Sequence, residues 1–263
     1  MILNVGIFGD SWGCGVWGYS DGKYYNQEFL YDENKTFEQN CEQLVDSQLK
    51  AEYTIVHLGI QHYLWKNNNS GMPHNFSKPG ASNALSMQYL KRYHQDFDVN
   101  IFIVTEPFRD FFFSPDLYDT NKTLKQNCEQ LIDAQLKEIE TLCGESCIVV
   151  GGLHKISKNY NFMHSVNWCE LIDSEAHWPV YYADAGQLGE KLKQNKIIIN
   201  RPKIKEVILD ADSNDRYRAT MVKSMPKYFT PCYHPNILAH ELLYKEIATV
   251  VNASFHKYVL RDI

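Results

Sequence analysis

The stretch MILNVGIFGDSWG (residues 1–13) decides the fold class of this chain. Its apolar run from Ile2 to Phe8 ends at Gly9, with a Gly-Asp-Ser-Trp-Gly loop directly behind it. A short continuous apolar run of this kind is typical of a parallel strand that is buried on both faces. The run also lacks a basic start and is shorter than a signal peptide requires. We therefore predict the first strand of an α/β sheet, followed by a loop at its carboxyl end.

Further apolar segments predict the other strands, at Pro73–Ser77, Val99–Val104 and Cys147–Gly152. Amphipathic stretches predict helices at Ser82–Phe97, Thr123–Leu142 and Asn236–Asn252. Strands that alternate with helices imply a mainly parallel sheet covered on both faces, within one domain over residues 1–263. Tyr53–Trp65 favours a helix, with a strand at TIVHLG (residues 54–59) as the alternative. Short helices are also predicted near Val166–Ile172 and Ala185–Lys193.

A 21-residue segment occurs twice, as LYDENKTFEQNCEQLVDSQLK (residues 30–50) and LYDTNKTLKQNCEQLIDAQLK (residues 117–137). The copies match at 16 of 21 positions, which indicates a segmental duplication. Each copy has a Thr-x-x-Gln capping-box pattern before apolar residues at helical spacing, so both predict helices. The second copy fits a crossover between two strands.

The first copy predicts a helical insertion at about residues 19–52, after the first strand. Its apolar stripe would pack on the flank of the domain, on the rim of the site or on a second chain in a homo-oligomer. Decoration of the surface is the remaining alternative.

The composition argues against several classes of partner. The net charge is −6 and the pI about 5.9, whereas nucleic-acid grooves and anionic membranes attract basic patches. No apolar stretch approaches the ~20 residues that span a bilayer. Seven Cys with no C-x-x-C pair are typical of reduced thiols in an intracellular protein. We therefore expect a soluble cytoplasmic protein with no cofactor, metal, nucleic-acid or membrane partner.

Three segments could carry chemistry at the carboxyl edge of the sheet. Ser11 follows the first strand and can present a hydroxyl nucleophile and a backbone N–H, although a tight turn explains the segment as well. Gly80 and Asn83 follow the second strand and can add an N–H and a side-chain amide; Asn83 could equally be a helix cap. His234 precedes a Pro at the start of the last helix and can act as a general base.

In this order, the segments resemble the SGNH/GDSL hydrolase family. GDSWG is similar to its first block, Gly80 to the glycine of its second block and His234 to the histidine of its last block. Similar GDSWG, G-x-S-N and HPN strings occur in a poorly characterised group associated with bacteriophages, whose members would act in the host cytoplasm. The resemblance runs from residue 5 to about residue 250, apart from the insertion.

The resemblance implies a three-layer α/β/α sandwich with a five-stranded parallel sheet. It also implies hydrolysis of esters, thioesters or acetylated sugars through an acyl-enzyme. Ser11 would attack the carbonyl carbon and His234 would take the Ser11 proton. The oxyanion hole would consist of the N–H groups of Ser11 and Gly80, with Asn83 as a further donor.

The sequence departs from the family at two places. The family has an Asp three residues before the histidine, where this chain has Pro231, so a carbonyl or an acid such as Asp210 or Asp212 would have to orient His234. The family's Gly-x-Asn-Asp block is replaced by TEPFRD (residues 105–110). Asn83 could replace the missing Asn as donor, or Thr105 could donate through its hydroxyl.

Other side chains near these segments are candidate substrate contacts, namely Asp10, Trp12, Thr105, Glu106, Arg109 and His154, with Asp110 and Trp17 beside them. A buried salt bridge that fixes the loop is the alternative for Glu106, Arg109 and Asp110. Packing is the alternative for the two Trp residues. The spacing of Cys232, His234 and His240 matches no common zinc pattern.

These observations leave three functions open. The first is a serine esterase or O-deacetylase that acts on a small ester, an acetylated glycan included. The second is a binding or assembly protein that keeps the fold with little or no hydrolysis, and the missing Asp and Asn favour it. The third is an acyltransferase that uses the same Ser11 and His234.

Overall fold

The structure is a computed structural model that describes residues 3–19, 53–67, 72–152, 156, 160–162, 164–172, 228–229, 234–255 and 260. The strands in these ranges are β1 (Val5–Phe8), β2 (Val16–Tyr19), β3 (Tyr53–His57), β4 (His74–Asn75), β5 (Val99–Val104), β6 (Cys147–Gly151) and β7 (His164–Asn167). The helices are α1 (Ser11–Cys14), α2 (Ile60–Asn67), α3 (Asn83–Tyr93), α4 (Phe108–Phe113), α5 (Leu124–Cys143), α6 (Trp168–Ile172) and α7 (Ile237–Ser254).

Five of these strands form one parallel sheet in the order β4-β1-β5-β6-β7. From β1 the chain goes to β4 on one side and then to β5 on the other side, so the strand order reverses between β1 and β5. In open α/β sheets, ligands bind beyond the carboxyl ends of the strands at such a reversal. The loops that follow β1 and β5 therefore mark the crevice in which a site is expected.

Helices cover both faces of the sheet, and alternate residues of β1, β5 and β6 enter two separate cores. Ile7 and Ile101 face one core, to which α2, α6 and α7 contribute. Phe8 and Phe102, the next residue along each strand, face the other core, to which α3 and α5 contribute. The arrangement confirms the three-layer α/β/α sandwich with a five-stranded parallel sheet.

The second copy of the repeat forms a helix, α5, in the crossover between β5 and β6, as the sequence predicted. Thr123 caps it: the Thr123 hydroxyl accepts from the Gln126 N–H at 3.2 Å, and the Gln126 side chain accepts from the Thr123 N–H at 2.9 Å. The Asn127 side chain accepts from the Asp119 N–H at 2.8 Å and donates to its carbonyl at 2.9 Å. The predicted capping box is thus confirmed here. The first copy, residues 30–50, lies outside the described residues.

The segment predicted as a helix over Tyr53–Trp65 is a strand followed by a helix, so the strand alternative at TIVHLG is correct. β3 pairs antiparallel with β2, from Tyr19 opposite Tyr53 to Val16 opposite His57. Aromatic and β-branched residues favour the strand. Gly59, at φ +55°, then turns the chain into α2. Tyr19 and Tyr53 are paired, so the insertion leaves and re-enters the domain at neighbouring residues, an arrangement that tolerates long insertions.

The helix predicted over Val166–Ile172 begins only at Trp168. Val166 and Asn167 belong instead to β7, the strand at the edge of the sheet. Only Val166 in this strand is buried, so its apolar pattern is too short to reveal it. The helix predicted at Ala185–Lys193 lies outside the described residues. None of the described helices is long and apolar enough to cross a membrane.

Candidate active site

Ser11 is the first residue of α1, directly beyond the carboxyl end of β1. Asp10 caps this helix, and its carboxylate accepts a hydrogen bond from the Trp12 N–H at 3.0 Å. A side chain at Gly13 would collide with Ser77, because its Cβ would lie 2.3 Å from the Ser77 Oγ. Gly13, the second glycine of GDSWG, therefore allows close packing between the loops after β1 and β4. Ser11 is 9% exposed.

The carboxylate of Asp10 links the β1 loop to the β5 loop at the strand-order reversal. Its Oδ2 accepts from the Thr105 hydroxyl at 2.6 Å and from an Arg109 terminal nitrogen, Nη1, at 3.3 Å. Asp10 and Thr105 are each 1% exposed. A buried carboxylate needs such partners, because removing an ion from water is costly. This burial favours a positioning role for Asp10 and Thr105 over the predicted substrate contact.

Arg109 also pairs with Glu106, through its Nε atom and the Glu106 Oε2. Glu106 is buried, and the Arg109 side chain is 20% exposed. Asp110 is fully buried and accepts from the Ala84 N–H at 2.9 Å and from the Gln135 amide at 2.6 Å. The contact between Arg109 and Glu106 agrees with the alternative of a salt bridge that fixes the loop. Asp110 is held instead by hydrogen bonds to neutral groups.

Asn83 is the first residue of α3 and is fully buried. The residue that caps α3 is Ser82, not Asn83. The Asn83 side chain accepts from the Thr105 N–H at 2.8 Å and donates to the Thr105 carbonyl at 3.1 Å. The amide thus clamps the β5 loop to α3. Its predicted oxyanion role would have to use the second hydrogen of the same nitrogen.

Gly80 lies in a turn in which the Ala81 N–H donates to the Lys78 carbonyl at 3.0 Å. Its φ of +71° and the preceding Pro79 are typical of a type II turn, in which only glycine is unstrained. Gly80 is exposed, and a Cβ placed on it would meet no atom within 4 Å. The turn therefore offers open space beside the crevice.

His234 is half-buried and lies three residues before the start of α7 at Ile237. The next residue, Pro235, forms an isolated antiparallel bridge with Phe229. The ring of Phe229 lies 5.8 Å from that of Trp12, centroid to centroid. Phe229 thus connects the backbone beside His234 with Trp12, the neighbour of Ser11. Pro231, Asp210 and Asp212 lie outside the described residues.

Trp12 is only 2% exposed, and its ring also makes an edge contact with Trp168 at 5.6 Å. This position favours a packing role for Trp12 over the predicted contact with substrate. Trp17 lies in β2, which pairs antiparallel with β3. His154 lies outside the described residues.

His240 joins α7 to the start of α2, a role that no motif of the sequence indicates. It is fully buried, its Nδ1 accepts from the Ile60 N–H at 3.1 Å, and its ring lies 4.9 Å from that of Trp168. Burial lowers the pKa of His240 to about 3; the Gly15 carbonyl opposes this, and His57 and His234 add to it. His240 is therefore neutral, as its acceptor role requires.

His57 makes a second bond of the same kind near the start of α2. Its Nδ1 accepts from the Gly59 N–H at 3.0 Å. Burial, with a further contribution from His62, lowers the pKa of His57. Within the described ranges, no three His, Cys, Asp or Glu side chains are placed to hold a metal ion.

No protein-family model and no curated protein matches the chain. Among solved structures, it is similar to a lipase/acylhydrolase from Enterococcus faecalis, with 15% identity, complete coverage of both chains and a TM-score of 0.37. An acetylxylan esterase from Geobacillus stearothermophilus is 11% identical over 95% of this chain and 94% of that chain, with a TM-score of 0.35. An α/β hydrolase from the metagenome of Lake Arreo, Spain, is 10% identical over 95% of each chain, with a TM-score of 0.36.

Similarity this low says nothing about activity, so any function must be argued from the residues of this chain. The grouping with bacteriophage proteins stays a prediction.

Proposed function

We propose that this protein is a serine-dependent ester hydrolase that acts through an acyl-enzyme. The observation that carries the proposal is the position of Ser11 at the start of a helix beyond the inner strand β1, where the strand order reverses between β1 and β5. A supporting observation is that Pro235, next to His234, pairs with Phe229, whose ring packs on Trp12, the neighbour of Ser11. A nucleophile, a base and backbone N–H donors at one edge are the groups that acyl transfer needs.

In the proposed reaction, the Ser11 Oγ attacks the ester carbonyl carbon and His234 takes the Ser11 proton. The N–H groups of Ser11 and Gly80 stabilise the resulting oxyanion. The intermediate then collapses, the C–O bond to the alcohol breaks, and the alcohol leaves with the proton from His234. Water repeats these steps on the acyl-enzyme, which releases the acid and regenerates Ser11.

We further propose a small acyl group as substrate, with O-acetyl groups on a glycan included. Ser11 is 9% exposed, which favours a short acyl chain over a bulky one. Gly80 is exposed and has open space beside it, where the alcohol part of an ester could extend.

A fluorophosphonate probe and nitrophenyl acetate test the nucleophile directly. We expect labelling and turnover in the wild type, no labelling in Ser11→Ala, and a loss of kcat of about a thousandfold or more. Ser114→Ala, which changes an exposed serine after α4, is the matched control and should behave like the wild type. Equal labelling of wild type and Ser11→Ala would refute the proposal.

Two alternatives remain as outcomes of the same experiment. A binding or assembly protein is favoured by the burial of Ser11 and by Pro231 in place of an acid, and it would give neither labelling nor turnover. An acyltransferase would be labelled at Ser11 but would turn over slowly until an acceptor alcohol or amine is added.

A further inference from the structure

Arg109 lies where three loops of the candidate site meet. Its guanidinium contacts Asp10 in the β1 loop, the Ala81 carbonyl in the β4 loop and Glu106 in its own β5 loop. The Nη1 atom alone makes two of these contacts, each at 3.3 Å. Planar, fixed donors of this kind hold several acceptors in one geometry, which a lysine ammonium does not do.

The two remote contacts of Arg109 lie beside the two proposed oxyanion donors. Asp10 immediately precedes Ser11 and caps the helix that Ser11 begins. Ala81 immediately follows Gly80 and closes the turn in which Gly80 lies. One side chain therefore sets the distance between the backbone segments of Ser11 and Gly80.

The charges around Arg109 disfavour direct binding of an anionic substrate. Two carboxylates, those of Asp10 and Glu106, already pair with the guanidinium, and both are buried. A substrate carboxylate or phosphate would compete with both of them for the single positive charge of Arg109.

We propose that Arg109 is a positioning residue that holds the oxyanion-hole segments of Ser11 and Gly80 in register. The proposal rests on the proposed function, because it assigns Arg109 a role in the same reaction. Arg109 acts through Asp10 and Ala81 and does not touch the reacting atoms. Its loss would lower kcat, since a misplacement of about 1 Å can cost roughly a hundredfold in rate.

The test compares Arg109→Lys and Arg109→Ala with Arg92→Lys, which changes an exposed arginine on α3. For each variant, kcat and KM are measured with the neutral nitrophenyl acetate and the anionic nitrophenyl succinate, together with the fluorophosphonate labelling rate. We expect kcat and labelling to fall by about 10–100-fold with both esters, and KM to stay within about threefold. Ethylguanidinium should restore part of the activity of Arg109→Ala.

Losses confined to the KM of the anionic ester would overturn the proposal and make Arg109 a substrate ligand. Unchanged kcat in both variants would overturn it as well. If Arg109→Ala does not fold, Arg109→Lys decides, with a melting curve that verifies its fold.

A second measurement needs no activity. Amide hydrogen exchange should speed up at residues 10–15 and at residues 78–82 together in Arg109→Lys, and at neither in Arg92→Lys. A rise in only one segment, or in none, contradicts the proposed coupling. Absence of labelling in the wild type overturns the hydrolase function, and hydrogen exchange then still decides on Arg109.

Discussion

The two halves of the candidate site are held by different forces. Around Ser11, a polar side made of Asp10, Thr105 and Arg109 ties loops together with hydrogen bonds and an ion pair. Around His234 lies an aromatic side made of Trp12, Trp168 and Phe229. These rings pack α7 against the α1 segment that begins at Ser11.

Hydrogen bonds are directional, whereas apolar burial is not. The polar side is therefore suited to fixing the orientation of Ser11. The aromatic side buries large rings and is suited to stabilising the fold. If this division holds, substitutions on the aromatic side change mainly stability, whereas those on the polar side lower the reaction rate as well as the stability.

Trp168→Ala should have the largest effect on stability. Trp168 is fully buried, contacts Trp12 and His240, and donates to the Ala239 carbonyl at 2.8 Å. We expect the free energy of unfolding, measured in urea, to fall by about 3–5 kcal/mol. Trp65→Ala is the control, because Trp65 is 48% exposed, and it should cost much less. Equal losses of unfolding free energy in the two variants would contradict a distinct stabilising role for the aromatic side.

Thr105→Val tests the polar side with a residue of the same shape. It removes the hydroxyl that donates to Asp10 at 2.6 Å. Hydrogen bonds to charged groups contribute about 1.5–3 kcal/mol, so urea unfolding should show a loss in this range, smaller than for Trp168→Ala. The labelling rate of Ser11 should fall as well. Thr141→Val, at an exposed position on α5, is the control, and it should change neither the free energy of unfolding nor the labelling rate. A Thr105→Val variant that is labelled at the wild-type rate would contradict the separate role of the polar side.

Acid should weaken the packing of α7 at His240, beside the aromatic side. Burial lowers the pKa of His240 to about 3 in the folded protein, from an ordinary value near 6.5. Between these two values the unfolded chain binds a proton at His240 that the folded chain excludes. The contribution of neutral His240 to the free energy of unfolding is therefore fully present above pH 6.5 and is lost as the pH falls toward 3. The contribution is about 1.4 kcal/mol per pH unit.

Urea unfolding of wild type and His240→Gln between pH 7 and pH 5 measures this contribution. The variant should show the shallower dependence on pH, while His74→Gln, on the exposed edge strand, should follow the wild type. Parallel curves for wild type and His240→Gln would show that His240 is not the group that titrates.

The elements that the sequence predicted well are those whose burial leaves a long pattern. β5 and β6 are continuous apolar runs, and α5 and α7 carry apolar residues at helical spacing over many turns. β7 was missed because an edge strand with one buried residue leaves almost no pattern. β3 was ambiguous because its short run suits either a strand or a helix until Gly59 is seen to break it.

The site was predictable as a set of motifs but not as a network. GDSWG, Gly80 and His234 can be found by their local sequence. The contact between Asp10 and Arg109 joins residues 99 positions apart and depends on which strands are neighbours. Asn83 shows the same limit, because its partner, the backbone of Thr105, lies 22 residues away.

The cap of α5 has a consequence for how this chain acquired its length. All of its bonds lie between Asp119 and Gln130, so the cap depends on no distant partner. The other copy of the repeat carries every capping residue type again, as Asp32, Asn34, Lys35, Thr36, Gln39, Asn40 and Gln43. A duplication of these 21 residues therefore copies all the residue types of a helix start together.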